Sequence, residues 1–411
     1  MLKIAVICIG DELLKGSTVN TNLTFIGERL TREGAPPVFA QEVPDTEAGI
    51  SGALDRALAE ADCIITTGGL GPTADDVTKE YIARRLGLRL EEDSETAIRI
   101  RQFWKMRHHT EEIPSRVFNQ ALVPVGAQVV PNEFGTAPGL ILQGPGGRKI
   151  ILLPGPPGEL EPMFESGVLP VLREEIQSAG QVFTKLFRLA GAGETDVEDR
   201  TLEILGKRHP LTAAYCAEPG LVRLFLNSPD PFVLNEAAAD VQTVFPKELI
   251  DPGSATLAEE LIRLLRQEKA VMATAESCTG GLVAKLLTDI PGSSDVFLGG
   301  VVSYANEIKT GLLGVDPETL RKYGAVSPQT AVEMVQGLAE RFRCDGAVSL
   351  TGVAGPGGGT PEKPVGLVYA GIFWRGETEV HELRLRRSRA QIRAWAAASA
   401  MNLLRLKILA K

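Results

Sequence analysis

The sequence has few cysteines, and their spacing excludes two common kinds of site. Only five of its 411 residues are cysteine, and no CxxC pair occurs. An odd number of scattered cysteines does not build a disulfide framework, and a zinc site needs closely spaced ligands. We interpret Cys8, Cys63 and Cys344, which lie in or beside strand-like runs, as small side chains of the hydrophobic core.

Positive charge is also scarce. The 43 Lys and Arg are outnumbered by 52 Asp and Glu, which gives a net charge of −9. Binding to nucleic acid requires a basic surface that neutralises phosphates, so this balance argues against a nucleic-acid partner. An anionic substrate must instead be held by a few local arginines and lysines.

Long apolar runs are missing as well. No stretch approaches the roughly 20 residues that a membrane-spanning helix needs. The N-terminal apolar stretch, in MLKIAVICIGDELL, is too short for a signal peptide and lacks a cleavage pattern of small residues. We therefore expect a cytoplasmic protein with no membrane partner.

The chain is long enough for two or three domains, and its composition, 44% hydrophobic and 23% charged, is that of a soluble globular protein. Strand and helix patterns alternate over the N-terminal residues: strand Leu2–Ile9, helix Asn20–Arg32, strand Val38–Val43, a helix ending near Glu60, and strand Asp62–Thr66. This order predicts an α/β fold with a parallel sheet, helices on both faces, and a ligand at the carboxyl ends of the strands. Asp45 is a plausible N-cap of the second helix.

A glycine-rich loop follows the third strand. Its glycines, Gly68, Gly69 and Gly71, allow backbone N–H groups to approach a phosphate closely. Thr73 adds a hydroxyl, and the neighbouring Asp75 and Asp76 add hard oxygen ligands for a divalent ion. The alternative is an ordinary turn in which an aspartate caps the next helix.

The segment GGLGPTADDVT, with Pro44 and Asp45 upstream, resembles the signature of the molybdopterin-binding MoaB/MogA fold. The segments GDELLKG at 10–16 and LPGPPGEL at 153–160 resemble the CinA branch of that fold. This resemblance implies a metal-dependent ADP-ribose pyrophosphatase that forms AMP and ribose 5-phosphate. Asp45 and Asp76 are the first candidates to hold Mg, Mn or Co or to orient water, and Asp11 and Asp75 are the next. The sequence has Asn20 where the family pattern has an aspartate.

Residues 173–250 are predicted to form a small α+β unit between domains at 1–172 and 251–411. Thr184–Ala190 and Val222–Asn227 alternate like half-buried strands, and Glu194–Leu205 reads as a helix between them. The unit resembles the KH-like middle domain of longer CinA proteins. It has neither a GxxG loop nor a basic patch, so we expect a spacer or a dimerisation element rather than an RNA-binding module.

The last domain is organised around AVMATAESCTGG at 270–281. Ala270–Ala275 reads as a buried strand, and a polar turn separates it from the helical pattern LVAKLL. Such a turn places a hydroxyl or thiol at the edge of a sheet, where helix N–H groups can meet an oxyanion. The residues of this turn allow two interpretations. One is that the turn carries a nucleophile, and the other is that Ser277 or Thr279 is only the N-cap of the helix.

Four further strands and a helix complete the expected C-terminal domain. Val296–Tyr304 is predicted to deliver Lys309 to the sheet edge, and Ala347–Leu350 to lead into a loop rich in Gly and Pro. Loops of that composition in compact domains are usually functional. The remaining predicted elements are strands Val365–Phe373 and Glu379–Leu385 and a helix from about Arg389.

The segments AESCTGG, SYANEIK and TGVAGPGGGTPEKPVG resemble those of the PncC-type nicotinamide mononucleotide deamidases. The resemblance implies metal-independent hydrolysis of the nicotinamide carboxamide with release of ammonia. It points to Ser277 as nucleophile and Lys309 as base, with Tyr304 as a possible proton relay. The expected substrate-binding residues are Thr279, Gly280, Thr351, Gly352, Gly355, Arg389 and Arg393, of which one of the two arginines would hold the substrate phosphate.

Two alternatives concern the attacking group. Cys278 would need a histidine, and His381 is the nearest candidate, on a strand where it is expected to be exposed. Lys309 can act as base only if burial keeps it neutral, which we expect at the edge of a buried strand. Its alternative role is a surface salt bridge with Glu307 or Glu333.

These observations predict a bifunctional enzyme of pyridine-nucleotide salvage that forms a homodimer. Its small-molecule partners would be ADP-ribose and nicotinamide mononucleotide, both products of NAD turnover. The competing hypothesis is an adaptor, linked to competence or DNA damage, that binds a pterin or nucleotide without turnover.

Overall fold

A computed structural model describes residues 1–110 and 112–410 of the chain. The chain divides into two compact units. Unit 1 comprises Met1–Thr184 with Asn227–Pro231, and unit 2 comprises Lys185–Leu226 with the chain from Phe232 onward. The three domain ranges inferred from the sequence stay predictions.

Unit 1 is an α/β structure, as predicted. Its strands are β1 (Ile4–Ile9), β2 (Phe39–Val43), β3 (Cys63–Thr67), β4 (Leu90–Glu92), β5 (Leu122–Pro124), β6 (Gln128–Val130), β7 (Gly139–Gln143) and β8 (Lys149–Leu153). Its helices are α1 (Asp11–Leu14), α2 (Thr21–Arg32), α3 (Glu47–Glu60), α4 (Thr78–Leu86), α5 (Ser94–His108), α6 (Pro157–Met163) and α7 (Leu169–Ala179).

The main sheet of unit 1 has the strand order β2-β1-β3-β8-β7-β6. The first four strands are parallel, whereas β7 runs antiparallel to β8 and β6 antiparallel to β7. The sheet is therefore mixed at one edge rather than wholly parallel. Strands β1, β3 and β8 are buried along their whole length, because separate hydrophobic clusters cover the two faces of the sheet.

The start of helix α3 differs from the prediction. Asp45 is not the cap of α3, because the hydroxyl of Thr46 accepts the N–H of Gly49. The Asp45 carboxylate is thereby free to accept the backbone N–H of Asp11. A π-helical turn at Phe164–Val168 lies between α6 and α7.

The predicted α+β segment is confirmed as a three-stranded sheet with two helices. Its elements are β9 (Phe183–Ala190), α8 (Glu194–Lys207), β10 (Thr212–Glu218), β11 (Leu221–Ser228) and α9 (Pro231–Val244). The strand order is β10-β11-β9, and a hydrophobic cluster of its own includes Val197, Leu224 and Phe245.

The remainder of unit 2 forms a second α/β layer structure. Its strands are β12 (Met272–Glu276), β13 (Phe297–Val302), β14 (Gly346–Gly352), β15 (Leu367–Trp374) and β16 (Glu377–Arg384). Its helices are α10 (Leu257–Glu268), α11 (Leu282–Thr288), α12 (Asn306–Leu313), α13 (Pro317–Tyr323), α14 (Pro328–Phe342) and α15 (Arg389–Leu409).

The sheet of this part has the order β13-β12-β14-β15-β16. Strands β13, β12 and β14 are parallel, and β15 and β16 complete the sheet in antiparallel pairing. Helices cover both faces, which is why all five residues of β12 are buried. The carboxyl ends of three parallel strands thus meet at one edge, where a ligand site is expected.

None of the described helices combines the length and the apolar composition needed to cross a lipid bilayer.

Candidate functional site

The carboxyl edge of β12, β13 and β14 brings together three of the segments singled out in the sequence. Ser277 directly follows β12, Ser303 and Tyr304 follow β13, and Gly352 ends β14. Ser277 is partly exposed, so its hydroxyl is accessible to a ligand at this edge.

Ser277 and Lys309 are in hydrogen-bond contact. The Lys309 Nζ lies 3.2 Å from the Ser277 Oγ, 2.6 Å from the Ser303 carbonyl oxygen and 3.3 Å from that of Tyr304. The two carbonyls can only accept, so the amine must donate to both. A neutral amine has two N–H groups and one lone pair, and the lone pair then matches the Ser277 hydroxyl proton. A charged amine would instead donate to all three oxygens, so the contacts of Lys309 suit a base that receives a proton from Ser277 when the amine is neutral.

Burial favours the neutral form of Lys309. Lys309 is 1% exposed, and its desolvation lowers the pKa of the amine from the ordinary value. Cys278 and Glu307 have smaller effects that raise this pKa. The salt bridge considered as an alternative does not form. Among the described residues no carboxylate pairs with Lys309, and Glu333 instead accepts hydrogen bonds from the Asp316 N–H and the Thr319 hydroxyl.

The position of Lys309 was nevertheless predicted wrongly. It lies inside helix α12 rather than at the edge of a strand, and β13 ends seven residues earlier, at Val302. The helix turns its side chain back under the end of β13, where the Ser303 carbonyl accepts one N–H of the amine. The amine is therefore placed among residues that directly follow β12 and β13, although Lys309 itself belongs to a helix.

The thiol of Cys278 is unsuited to attack. It is buried, and desolvation raises its pKa to about 11, so at neutral pH it is a protonated thiol. His381 lies on β16, three strands away from β12, which corresponds to about 14 Å at the usual strand spacing. As expected it is part of an open strand face, and its ring contacts Glu379 at 3.4 Å.

The turn between β12 and α11 contains backbone N–H groups that have no carbonyl acceptor among the described hydrogen bonds. The N–H of Ser277 is used by the Leu350 carbonyl and that of Gly280 by the Ser277 carbonyl. Within the described part of the chain, the N–H groups of Cys278 and Thr279 have no carbonyl acceptor. They are therefore the available donors for an oxyanion, which narrows the predicted range of Ser277–Gly280. The positive φ of Gly280, 60°, lets the chain make this turn.

Both candidate arginines reach this edge from α15. Arg393 donates to the Thr279 carbonyl through Nε at 3.2 Å and through Nη2 at 2.7 Å. Arg389 donates to the Gly355 carbonyl at 2.6 Å and to the Tyr304 hydroxyl at 3.2 Å. Each guanidinium has five N–H donors and keeps some for an anion.

Three other predicted residues take supporting positions. Tyr304 is 63% exposed and contacts Lys309 through its carbonyl, while its hydroxyl contacts Arg389. The hydroxyl of the buried Thr351 donates to the Ala325 carbonyl at 2.6 Å. A side chain at Gly352 would lie 2.6 Å from the Leu367 carbonyl oxygen, so the backbone there is closely packed.

A second site lies at the carboxyl edge of the sheet in unit 1. A cleft of about 540 Å³ is lined by residues from the ends of β1, β3 and β8. Predicted residues in its lining are Asp45, Gly68, Gly69, Gly71, Asp75 and Asp76, whereas Asp11 and Thr73 are outside it. Sequence reasoning gave no role to Gln120, which also lines the cleft and donates to the Leu70 carbonyl. Gln120 lies in a stretch without a recognisable pattern, so no signal marked it.

The glycine-rich loop of this cleft presents unused backbone donors. The N–H of Gly68 is taken by the Leu153 carbonyl, but those of Gly69, Leu70 and Gly71 have no carbonyl acceptor among the described hydrogen bonds. Gly68 has a φ of 100°, and a Cβ there would lie 2.1 Å from the Ile9 carbonyl oxygen. Only glycine fits so close to the end of β1. A loop whose backbone N–H groups are unpaired in this way is suited to bind phosphate oxygens.

Asp45 experiences repulsion from other carboxylates of unit 1. Desolvation raises the pKa of Asp45, and the negative charges of Glu12, Asp11 and Asp75 add to the effect. Asp75 and Asp76 both contact the Thr73 hydroxyl, and the Asp76 carboxylate also accepts the Thr73 N–H at 2.9 Å. The Asp11 carboxylate instead pairs with Lys15 at 2.7 Å. A cation would relieve this repulsion.

No three His, Cys, Asp or Glu side chains in the described ranges converge into a complete metal-binding set. The aspartates of the cleft instead suit a magnesium-like ion. Such an ion takes one or two carboxylates from the protein and completes its coordination with water and substrate phosphates. Asp45, Asp75 and Asp76 are the lining aspartates that fit this requirement.

Comparison with known proteins identifies two family models in the chain. Residues 5–174 match the probable molybdopterin binding domain, and residues 254–408 match the CinA C-terminal domain. A CinA-like protein of Dictyoglomus turgidum is 37% identical over 99% of this chain and all of its own length. A putative competence-damage inducible protein of Caldicellulosiruptor bescii is 39% identical over 98% of both chains.

A solved structure is also similar in part. The competence/damage inducible protein CihA from Agrobacterium tumefaciens is 45% identical, with a TM-score of 0.36, and the match covers 37% of this chain and 93% of that one. The sequence relatives extend over nearly the whole chain at more than a third identity. The chain therefore belongs to the family of CinA-like proteins.

Proposed function

We propose that the site of unit 2 hydrolyses the carboxamide of nicotinamide mononucleotide and releases ammonia. The observation that carries the proposal is the 3.2 Å contact between Ser277 and the buried Lys309, whose other two hydrogen bonds go to carbonyls. A serine becomes a nucleophile only when a base takes its proton, and a desolvated lysine provides that base.

The first half of the reaction transfers the nicotinoyl group to the enzyme. Lys309 Nζ takes the proton of Ser277 Oγ while the oxygen forms a bond to the amide carbon. The resulting oxyanion is held by the N–H groups of Cys278 and Thr279. Lys309 then gives the proton to the amide nitrogen, the C–N bond breaks, and ammonia leaves.

The second half returns the enzyme to its starting state. Lys309 takes a proton from a water molecule as the water oxygen attacks the ester carbon. The bond to Ser277 Oγ then breaks, and Oγ recovers the proton from Lys309. The product is the nicotinic acid mononucleotide. Arg389 and Arg393 are placed to hold the phosphate of substrate and product, because a guanidinium matches phosphate oxygens in charge and geometry.

We propose that unit 1 cleaves the diphosphate of ADP-ribose with a divalent ion. Two of the lining aspartates, with Asp45 and Asp76 as the first candidates, would hold the ion, and the open N–H groups of Gly69, Leu70 and Gly71 would hold phosphate oxygens. When bound, the ion supplies charge that polarises the diphosphate. Both proposed substrates derive from NAD turnover, which gives a reason for their combination in one chain.

A chelator separates the two activities. In excess EDTA we expect AMP formation from ADP-ribose to fall to background, since the carboxylates of the cleft cannot supply the positive charge of the missing cation. Ammonia release from nicotinamide mononucleotide should stay within twofold of the untreated rate. Both products are measured on the full chain, before and after magnesium is restored.

Loss of deamidation in EDTA would contradict the Ser277–Lys309 assignment, because a metal-activated water would then be the nucleophile. Binding of either nucleotide without any product, with and without metal, would instead favour the adaptor hypothesis.

A further inference from the structure

Glu276 occupies an unusual place in the site of unit 2. It is the last residue of β12, is 1% exposed, and directly precedes Ser277. Its carboxylate turns towards α11, where one oxygen accepts the N–H of Val283 at 3.1 Å and the other that of Ala284 at 2.9 Å. Gly281, at the N-cap of this helix, has no side chain that could do this. The cap of α11 is therefore supplied by the strand that precedes it.

This contact fixes the turn that carries the nucleophile. The backbone of Glu276 is held in the sheet, since its carbonyl accepts the Ser303 N–H at 2.8 Å. The Ser277 N–H in turn donates to the Leu350 carbonyl at 2.8 Å. With its side chain bound to the first turn of α11, Glu276 connects the two ends of the segment 277–281. The position of Ser277 Oγ relative to Lys309 depends on this closure.

The chemistry of the contact requires a carboxylate. Two N–H donors approach two different oxygens, and a glutamine offers only one oxygen. Its amide group would direct an N–H at the second donor. The negative charge is stabilised by the partial positive charge of a helix N-terminus, and among the described ion pairs no cation neutralises it.

The geometry points to Glu276 as a positioning residue for the deamidase reaction, an inference that rests on the proposed function of unit 2. It acts through Ser277 and does not touch the substrate. The N–H groups of Cys278 and Thr279 lie in the same segment, so their positions also depend on the contact of Glu276 with α11.

The test compares Glu276→Gln and Glu276→Asp with the wild-type chain. The first keeps the size and loses one acceptor, and the second keeps the charge and is too short to reach both N–H groups. The control is Glu259→Gln, because Glu259 is a glutamate in the first turn of α10 in unit 2 and also accepts a backbone N–H at a helix start, that of Ala255, which precedes the N-cap Thr256. Steady-state kinetics with nicotinamide mononucleotide give kcat and KM for each protein.

A fluorophosphonate probe provides a second readout that does not require the proposed substrate. An activated serine forms a bond to its phosphorus, fluoride leaves, and the proton passes to the base. The rate constant of labelling at Ser277 reports the alignment of Ser277 with Lys309. The final extent of labelling, measured by mass spectrometry, reports the fraction of folded protein.

We expect both Glu276 variants to lose at least tenfold in kcat with KM within twofold of the wild-type value. The labelling rate constant should fall in parallel, and the final extent should stay near one label per chain. The Glu259→Gln control should keep its labelling rate.

Two results would overturn the inference. The first is a kcat and a labelling rate constant within twofold of wild type for both Glu276 variants. The second is a lower kcat that is accompanied by a lower final extent of labelling and an unchanged labelling rate constant, because the variants would then only contain less folded protein. If the wild-type chain releases no ammonia but the variants still label more slowly, the proposed function fails and the positioning role stands.

Discussion

Replacing Ser277 by alanine is expected to lower kcat for ammonia release from nicotinamide mononucleotide by about a thousandfold or more, as for other enzymes that lose their nucleophile. The neighbouring Cys278 cannot take over, because its buried thiol has a pKa raised to about 11. AMP formation from ADP-ribose should be unchanged, since that site lies in unit 1. Ammonia and AMP are measured on the same preparation.

Ser303→Ala is the matched control. The Ser303 hydroxyl is buried without a hydrogen-bond partner, and its contact with Lys309 is made by the backbone carbonyl, which alanine keeps. This variant should retain deamidation within a fewfold of wild type. A Ser277→Ala protein that keeps more than a tenth of the wild-type rate would show that another group attacks the amide.

Replacing Asp76 by asparagine is expected to reduce AMP formation from ADP-ribose by about a hundredfold or more, through loss of a charge that holds the divalent ion. Asparagine is nearly isosteric and keeps an oxygen that can accept the Thr73 N–H, so the loop should keep its shape. Raising the magnesium concentration should recover part of the activity if affinity for the ion is what was lost. The measurement is the rate of AMP formation as a function of magnesium concentration.

Asp62→Asn is the control for this experiment. Asp62 belongs to the same unit but precedes β3, at the opposite end of the strand from the glycine-rich loop, and accepts the Lys3 N–H. Its replacement should leave AMP formation and its magnesium dependence unaltered. Full activity of Asp76→Asn at low magnesium would contradict a role of Asp76 in holding the ion.

The sequence was most informative where a motif follows a buried strand. Apolar runs of five or six residues located β1, β3 and β12, and the polar turns after them contain Ser277 and the glycine-rich loop. Such runs need burial on both faces, which only a central strand of a covered sheet provides. Motif and strand were therefore predicted together.

Side-chain partners between distant segments could not be predicted in the same way. The pairing of Ser277 with Lys309 came from a family resemblance, and the local structure assigned to Lys309 was wrong. The eight-residue helix α12 is too short for its periodicity to be distinguished from the end of a strand.

Capping residues show the same limit. Asp45 and Thr46 are both good N-cap residues, and which of them caps α3 depends on the Asp11 N–H, which lies 34 positions away in sequence and donates to the Asp45 carboxylate. The role of Glu276 likewise depends on the path of the chain from β12 into α11, which residue types alone do not specify.

The central claim is that a neutral amine at position 309 receives the proton of Ser277. Its most direct test is an NMR titration of the lysine side chains, with the Lys309 signal identified by its loss in Lys309→Met, alongside the pH dependence of kcat for deamidation. Burial lowers the pKa of Lys309, so its signal should titrate below the ordinary value of about 10.5, and kcat should rise with pH through the same midpoint. A Lys309 that stays protonated up to its ordinary pKa while deamidation proceeds at full rate at neutral pH would contradict the account.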